Sequence, residues 1–324
     1  MTRRRAALWA LRAAVAVLGL WAIVRLLGLE RGFPLVALIA FTPYVALIAV
    51  AVLALSAIAR AWREAVVLSM IVAVFAAVVL PRAFPSQPAV SGTERVSLDL
   101  LTSNLHLGEA DAEELVALIR ESGSDLVSLQ ELTETEVDRL RTAGIDELLP
   151  EQHLRPTPAG SSGAGIYSRY PLRTLGEVPG GISRMVRALV EVPGAQPVDI
   201  VAVHAYPPNW LTTTEWREGL EALPVADAEG PVRILAGDFN SSFDHEEFRR
   251  VVDGGYVDAA AALGLGLGPT WPTRFVTAPP VTIDHVLADE RARVERYAAV
   301  DLPGTDHRAL AVSLGLPKPD PAAG

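Results

Sequence analysis

Residues Phe33–Ala59 form a run of 27 without a charged side chain. A helix of this length, at ~1.5 Å per residue, is long enough to cross the ~30 Å hydrocarbon layer of a bilayer. Its length favours a membrane span over a buried core helix. A signal peptide does not account for it, because the run lies beyond the N-terminal segment that such a peptide occupies.

Two further apolar runs flank this one, Leu8–Leu29 before it and Ala65–Leu80 after it. A signal peptide is the alternative for the first run, which follows three arginines. Arg12 and Arg25 interrupt that run, each about four residues from an end, where long side chains can reach the membrane surface. The pattern predicts three transmembrane helices in an anchor of residues 1–80.

The arginines around these helices predict their orientation. Cytoplasmic loops of membrane proteins are enriched in Lys and Arg. An inside N-terminus places five arginines in the cytoplasm (Arg3, Arg4, Arg5, Arg60 and Arg63) and two outside (Arg31 and Arg82). Residues 81–92 are rich in proline and are predicted to be a linker. Everything that follows them is expected to be extracytoplasmic.

The two parts of the chain differ in charge. Residues 1–92 contain nine arginines and two acidic residues, a formal charge of +7, whereas the remainder contains 19 basic and 36 acidic residues, a formal charge of −17. A negative field repels long polyanions and argues against an indiscriminate DNase, although nucleic acid is not excluded. The chain has no cysteine, which excludes disulfides and Cys-based zinc sites.

Apolar, strand-like runs in the second part repeatedly end in polar residues. In the central one, Arg233–Asn240, an apolar run and Gly237 precede Asp238 and Asn240, whose spacing points both side chains the same way on an extended strand. An Asx turn that closes a strand is the alternative for this motif. The other runs end at Asn104, Glu131, His204 and Asp284, and the pair Asp306–His307 lies just before the apolar run Ala309–Leu314.

The order and local sequences of these runs resemble the endonuclease/exonuclease/phosphatase superfamily, which includes DNase I, sphingomyelinases and inositol-polyphosphate phosphatases. The resemblance covers roughly Arg95 to Leu316. It implies an α/β fold for residues 93–316, a DNase I-like four-layer α/β sandwich with two mixed sheets face to face and helices outside. Residues 317–324 are expected to be a tail.

Hard oxygen ligands favour Mg²⁺ or Mn²⁺ over zinc. By the resemblance, the metal ligands are Asn104, Glu131 and Asp306. It also implies that Asp284 orients His307 for acid–base chemistry and that Asp238 orients or deprotonates the attacking water. The remaining implied contacts are to the substrate phosphate, from Asn240 and His204.

Several other residues are weaker candidates. His285 follows Asp284 on the predicted strand, so it faces the opposite way and is expected in the core or on the surface. His106 is either a loop histidine or a substrate contact. Tyr206 and Asn209 are candidates for lining the cleft, and His153 and His245 have no supporting context.

The union of N-terminal spans with an acidic catalytic domain is similar to a membrane-bound branch associated with resistance to glycopeptide antibiotics such as vancomycin and teicoplanin. This resemblance implies a phosphohydrolase acting on a lipid-linked or envelope substrate, such as a polyprenyl (pyro)phosphate or a phospholipid head group. The alternative is an extracellular nuclease tethered to the membrane. A non-catalytic binding or sensing domain would be indicated by lost catalytic residues, and none is lost.

Overall fold

The computed structural model describes residues 3–87, 94–178, 184–273 and 278–319. Its N-terminal part packs three long apolar helices, α1 (Arg3–Leu27), α3 (Thr42–Ile58) and α4 (Trp62–Val79). The short helix α2 (Leu35–Leu38) and two 3-10 turns, Ile39–Phe41 and Leu80–Ala83, adjoin them. By length and composition, the three long helices with their adjoining turns can each cross a membrane.

The described residues beyond 94 contain twelve strands. They are β1 (Val96–Asn104), β2 (Leu126–Gln130), β3 (Glu151–Arg155), β4 (Ala164–Ser168), β5 (Leu172–Glu177), β6 (Val186–Val190), β7 (Val198–His204), β8 (Val232–Asp238), β9 (Tyr256–Asp258), β10 (Asp284–Asp289), β11 (Arg293–Asp301) and β12 (Arg308–Leu316). The helices among them are α5 (Ala112–Ser122), α6 (Glu134–Thr142), α7 (Ile145–Leu148), α8 (Thr213–Glu221), α9 (Glu246–Val252) and α10 (Ala259–Ala262).

The strands form two mixed six-stranded sheets, ordered β11-β12-β1-β2-β4-β3 and β5-β6-β7-β8-β10-β9. Apolar side chains from both sheets, such as Leu100, Ile166, Ile200 and Ile234, form one buried core between them. Helices α5, α6 and α7 cover the outer face of the first sheet, and α8 and α9 cover the second. The predicted four-layer α/β sandwich is therefore confirmed.

Local sequence explains the helix that joins the two parallel strands β1 and β2. Asp111 caps α5 by accepting hydrogen bonds from the backbone N–H groups of Glu113 and Glu114. Gly123 ends the helix in the left-handed conformation, at φ 68°. Both ends therefore lie at residue types that are typical of helix caps.

The apolar helices join the sandwich through a buried ion cluster. Asp244 accepts hydrogen bonds from Arg25 at 2.8 Å and from Arg82 at 2.8 Å, and all three side chains are at least 92% buried. The expectation that Arg25 reaches the membrane surface is therefore wrong. A carboxylate of the sandwich holds it instead, because a buried guanidinium needs a paired anion.

The predicted linker, residues 81–92, begins with packed structure. The turn Leu80–Ala83 carries Arg82 into the ion cluster, and Gly266 donates its backbone N–H to the Arg82 carbonyl at 3.0 Å. Residues 88–92 lie outside the described ranges, as does most of the predicted tail. The end of the third long helix is thus in direct contact with the sandwich.

Candidate active site

Strand direction brings the predicted polar residues to one edge of the sandwich. The pairs β1–β2 and β7–β8 are parallel, so each pair ends at this edge. Strands β10 and β12 run antiparallel to β8 and β1 and therefore begin there. The predicted strand Val281–Asp284 is wrong in its bounds, since β10 begins at Asp284, which pairs in register with Asp238.

All eight predicted site residues are connected by contacts of 4.0 Å or less. The Asn104 amide donates to Asp238 at 3.0 Å and to Glu131 at 3.3 Å, which joins the two sheets. His204 Nε2 lies 3.7 Å from Glu131 and 4.0 Å from Asp238. His307 lies 3.0 Å from Asp284, 3.9 Å from Asp238 and 3.8 Å from Asp306, and Asn240 lies 3.2 Å from Asp238.

The Asp238–Asn240 motif combines the two readings that its sequence left open. The backbone N–H of Asn240 donates to Asp238 Oδ1 at 2.7 Å, which is an Asx turn at the end of β8. The Asn240 side-chain amide donates to Asp238 Oδ2 at 3.2 Å and to the Ala205 carbonyl at 2.9 Å. In this arrangement Asn240 positions Asp238 and the segment after His204, and both of its amide protons are engaged.

Gly237 allows the neighbouring strand β7 and the opposite sheet to approach closely beneath Asp238. A Cβ at this position would lie 2.0 Å from the Val203 carbonyl oxygen and 2.8 Å from the Gln130 amide nitrogen, and the backbone φ is +149°. Any other residue would clash with the neighbouring strand β7 and with the Gln130 side chain of the opposite sheet. The close approach at Gly237 is therefore to protein atoms of both sheets.

His307 and Asp284 form a buried pair. Asp284 accepts from His307 Nδ1, with both carboxylate oxygens at 3.0 Å. Burial lowers the pKa of His307, but the charge and hydrogen bond of Asp284 outweigh burial and raise that pKa to about 9. His307 is consequently protonated at neutral pH, and its Nε2–H is directed into the cluster with Asp238 and Asp306 nearby.

Burial shifts the pKa values of Asp238 and His204 in opposite directions. Burial and the adjacent Asp284 charge raise the pKa of Asp238 to about 7, against the opposing effect of His307. Burial lowers the pKa of His204 despite the nearby Glu131 charge. The site therefore holds a carboxylate that can exchange a proton near neutral pH beside a neutral imidazole and an imidazolium.

The site contains donors suited to a divalent cation. Among the described residues, Asp238, Asp284 and His307 offer ligand atoms that all lie within 4.8 Å of one another. The predicted set differs from this group. Asn104 and Glu131 are neighbours, but Asp306 contacts His307 and lies 3.1 Å from His106. Burial and the adjacent Asp284 charge raise the pKa of Asp238, and a bound divalent cation would relieve this crowding.

Four supporting residues were not assigned by sequence. The Thr270 hydroxyl accepts from the Asp284 backbone N–H at 3.1 Å, and the Trp271 indole donates to Asp306 at 2.8 Å. The Thr305 hydroxyl donates to the Asn104 carbonyl at 2.8 Å, and Gln130 lies buried beneath the site. A Thr-Trp segment is recognisable in the sequence, but its hydrogen-bond partners are 14 and 35 residues away.

The weaker candidates separate into core and rim. His285 is in the core, bonded to Asp258 at 2.8 Å, and His153 is also buried. His245 receives a role that sequence missed, because its Nε2 bonds the Val36 carbonyl at 2.9 Å across the junction with the apolar helices. His106 is at the rim beside Asp306, and Asn209 accepts the Leu211 N–H in its own loop.

The chain is similar to one family model and to several solved structures. The model of the Endonuclease/Exonuclease/phosphatase family matches residues 101–307. Similar solved structures include an endonuclease/exonuclease/phosphatase from Beutenbergia cavernae, which is 22% identical with a TM-score of 0.55 over 69% of this chain and 72% of that one. They also include humanized D. rerio TDP2, 18% identical, TM-score 0.53, over 68% and 99% of the chains. A third is D. rerio TDP2 complexed with single strand DNA product, 17% identical, TM-score 0.52, over 68% and 99%.

The comparison with curated proteins gives no match. The three solved structures are each below a quarter identity, so they support the fold rather than a particular reaction.

Proposed function

Because the chain belongs to the endonuclease/exonuclease/phosphatase family, a family of generally hydrolytic enzymes, we propose that it is a membrane-anchored, metal-dependent phosphohydrolase. The observation that carries this proposal is the single contact cluster of eight polar side chains at one edge of the sandwich. The reaction is hydrolysis of a phosphate ester or anhydride by water that the site activates directly.

The side chains of the site have different roles in proton transfer and phosphate binding. Asp238, with a pKa near neutrality, orients the attacking water and accepts its proton. His307, held protonated by Asp284, stabilises negative charge on the phosphoryl group and can protonate the leaving oxygen. His204 is neutral and provides a second contact to the phosphate, while Asn240 holds Asp238 in place.

Glu131 and Asn104, with Asp306 at the rim, would hold Mg²⁺ or Mn²⁺, which supplies positive charge to a bound phosphate when present. The direct contact between Glu131 and Asn104 supports this assignment over the Asp238–Asp284–His307 group. In that group His307 is already committed to Asp284 through Nδ1 and carries a proton on Nε2.

The substrate that best suits this architecture is an amphiphilic phosphate, such as a polyprenyl (pyro)phosphate or a phospholipid. The ion cluster holds the apolar helix ends against Asp244, which is only four residues after Asn240 in the chain. In a membrane the site would therefore stay close to the bilayer. The formal charge of −17 disfavours long polyanions but not a single phosphate. A part in glycopeptide resistance is proposed from the family resemblance alone.

A tethered nuclease is the second candidate. The D. rerio TDP2 structure with a single strand DNA product has the same fold, and this favours testing DNA directly. The acidic surface argues against it, because nucleic-acid binding needs Lys and Arg to replace counterions. A purely sensory domain is less consistent with the site, since all eight predicted side chains are brought together.

EDTA is expected to abolish phosphohydrolase activity and added Mg²⁺ or Mn²⁺ to restore it. Glu131→Gln should raise the Mg²⁺ concentration needed for half-activation by about ten-fold or more, because it removes a charged oxygen ligand. Glu134→Gln, a change in a nearby acidic residue outside the contact cluster, is the matched control. Full activity of the wild-type chain in EDTA would disprove the metal assignment.

A reporter fused after Gly324 is expected to give an extracytoplasmic signal. The two arginines predicted to lie outside include Arg82, which the sandwich neutralises, so the bias toward an inside N-terminus depends on Arg3–Arg5, Arg60 and Arg63. A fusion after Ala61, between α3 and α4, should report the cytoplasm. A cytoplasmic signal from the C-terminal fusion would reverse the proposed topology.

A further inference from the structure

The loop that follows β7 exposes two large apolar side chains. Leu211 is 86% exposed and Trp210 is 75% exposed. Among the large apolar residues of the sandwich that the structure describes, these two are the most exposed. Adjacent exposed Trp and Leu side chains are costly in water but are favourable at a membrane surface.

The loop holds this pair in a defined position. The Asn209 side chain accepts the Leu211 backbone N–H at 2.8 Å, and the Thr213 hydroxyl donates to the Asn209 carbonyl at 2.5 Å. The Thr212 hydroxyl donates to the Pro207 carbonyl at 2.5 Å. Three local hydrogen bonds therefore fix a loop whose outward side chains make few contacts with the sandwich.

The position of the loop indicates what the exposed side chains of Trp210 and Leu211 contact. The rings of Trp210 and Phe33 are 4.6 Å apart between centroids, and Phe33 lies in the connection between α1 and α2. Arg31 in the same connection has a side chain that is 60% exposed, 3.9 Å from Glu247. An exposed aromatic, an exposed aliphatic and a basic residue beside the ends of membrane-length helices are typical of the headgroup region.

We propose that Trp210 and Leu211 insert into the bilayer surface beside the helix ends, and that the partner of this loop is the lipid interface itself. The inference rests on the membrane anchoring in the proposed function and extends it to the sandwich. His204 is only six residues before Trp210, at the end of β7. Insertion therefore places the entrance of the site at headgroup level, where a lipid phosphate can enter by lateral diffusion.

The absence of cysteine from the chain gives a direct test. Leu211→Cys in the full chain supplies a single site for a nitroxide label, studied in nanodiscs of phosphatidylcholine and phosphatidylglycerol. Val225→Cys is the matched control, because Val225 is 65% exposed and its carbonyl bonds Arg233 near the start of β8, away from the site edge. We expect the label at 211 to collide more with oxygen than with a water-soluble nickel complex, and the label at 225 to show the reverse.

Equal nickel access at 211 and 225 would overturn the inference, as would protection of 211 from both reagents, which indicates cover by protein such as a second copy. In a second arm, Trp210→Ser with Leu211→Ser should lower the ratio of vesicle-lipid to soluble-ester hydrolysis by about ten-fold. The depth measurement needs no turnover. A membrane-embedded label on an inactive chain would contradict the proposed function alone, whereas a water-exposed label on an active lipid hydrolase would contradict the insertion alone.

Discussion

Asp238→Asn and His307→Ala are each expected to lower turnover by about 10²–10⁴, the range for positioned acid–base groups. Asp238 is the carboxylate that links Asn104, Asn240 and His307, and Asn cannot accept the proton of water. His307→Ala removes the imidazolium that Asp284 holds and leaves a buried carboxylate without its partner. The measurement is the steady-state rate with saturating Mg²⁺.

The Asn variant also separates catalysis from folding. Because burial and Asp284 raise the pKa of Asp238 to about 7, its ionisation destabilises the metal-free fold as the pH rises from about 4 through 7. In EDTA at pH 8, Asp238→Asn should unfold at a temperature equal to or above that of the wild type. Asp138→Asn, on a 78% exposed carboxylate, is the control for both assays. Near wild-type turnover in a folded Asp238→Asn variant would remove Asp238 from the mechanism.

Asp244→Ala is expected to destabilise the protein by about 3–5 kcal/mol, since it leaves two buried guanidinium groups unpaired. Burial alone would raise the pKa of Asp244, but Arg82 and Arg25 outweigh burial and lower it. The stabilisation is therefore fully present at neutral pH and is lost only as the pH falls through that lowered pKa. Thermal unfolding of the full chain in nanodiscs measures the effect.

A surface ion pair provides the comparison for Asp244. Asp138→Ala breaks a contact with Arg141 in which both side chains are more than half exposed, and such pairs contribute little. Its unfolding temperature should stay close to that of the wild type. If Asp244→Ala behaved in the same way, the ion cluster would not be what joins the helices to the sandwich.

Where strand direction decides position, the sequence indicates correctly which side chains lie together at one edge of the sandwich. Asn104, Glu131, His204 and Asp238 all follow apolar runs, and parallel strands place such ends at one edge. Asp284 was predicted at the end of a strand but begins one. Its neighbours Val281 and Ile283 are apolar because they pack near Ala40, outside the sheet. An apolar run alone does not distinguish a segment that precedes a strand from the strand itself.

Contacts between distant residues could not be predicted in this way. Arg25 and Asp244 are 219 residues apart, and an arginine near a helix end equally suits the membrane surface. The contact of His245 could not be predicted either, because its partner is the Val36 carbonyl. A backbone acceptor cannot be recognised from the residue type. The family resemblance predicts the layers, whereas the junction depends on pairings that only the folded chain defines.

Hydrolysis of lipid and nucleic-acid phosphates in one assay tests the central proposal most directly. The full chain, with Mg²⁺ at physiological salt, would be given a polyprenyl phosphate or pyrophosphate, a phospholipid and duplex DNA at equal phosphate concentration, with Asp238→Asn as the blank. We expect an amphiphilic phosphate to be hydrolysed faster than DNA, and the Asn variant to hydrolyse neither at a comparable rate. Faster cleavage of DNA by the wild type would contradict the proposal and favour the tethered nuclease.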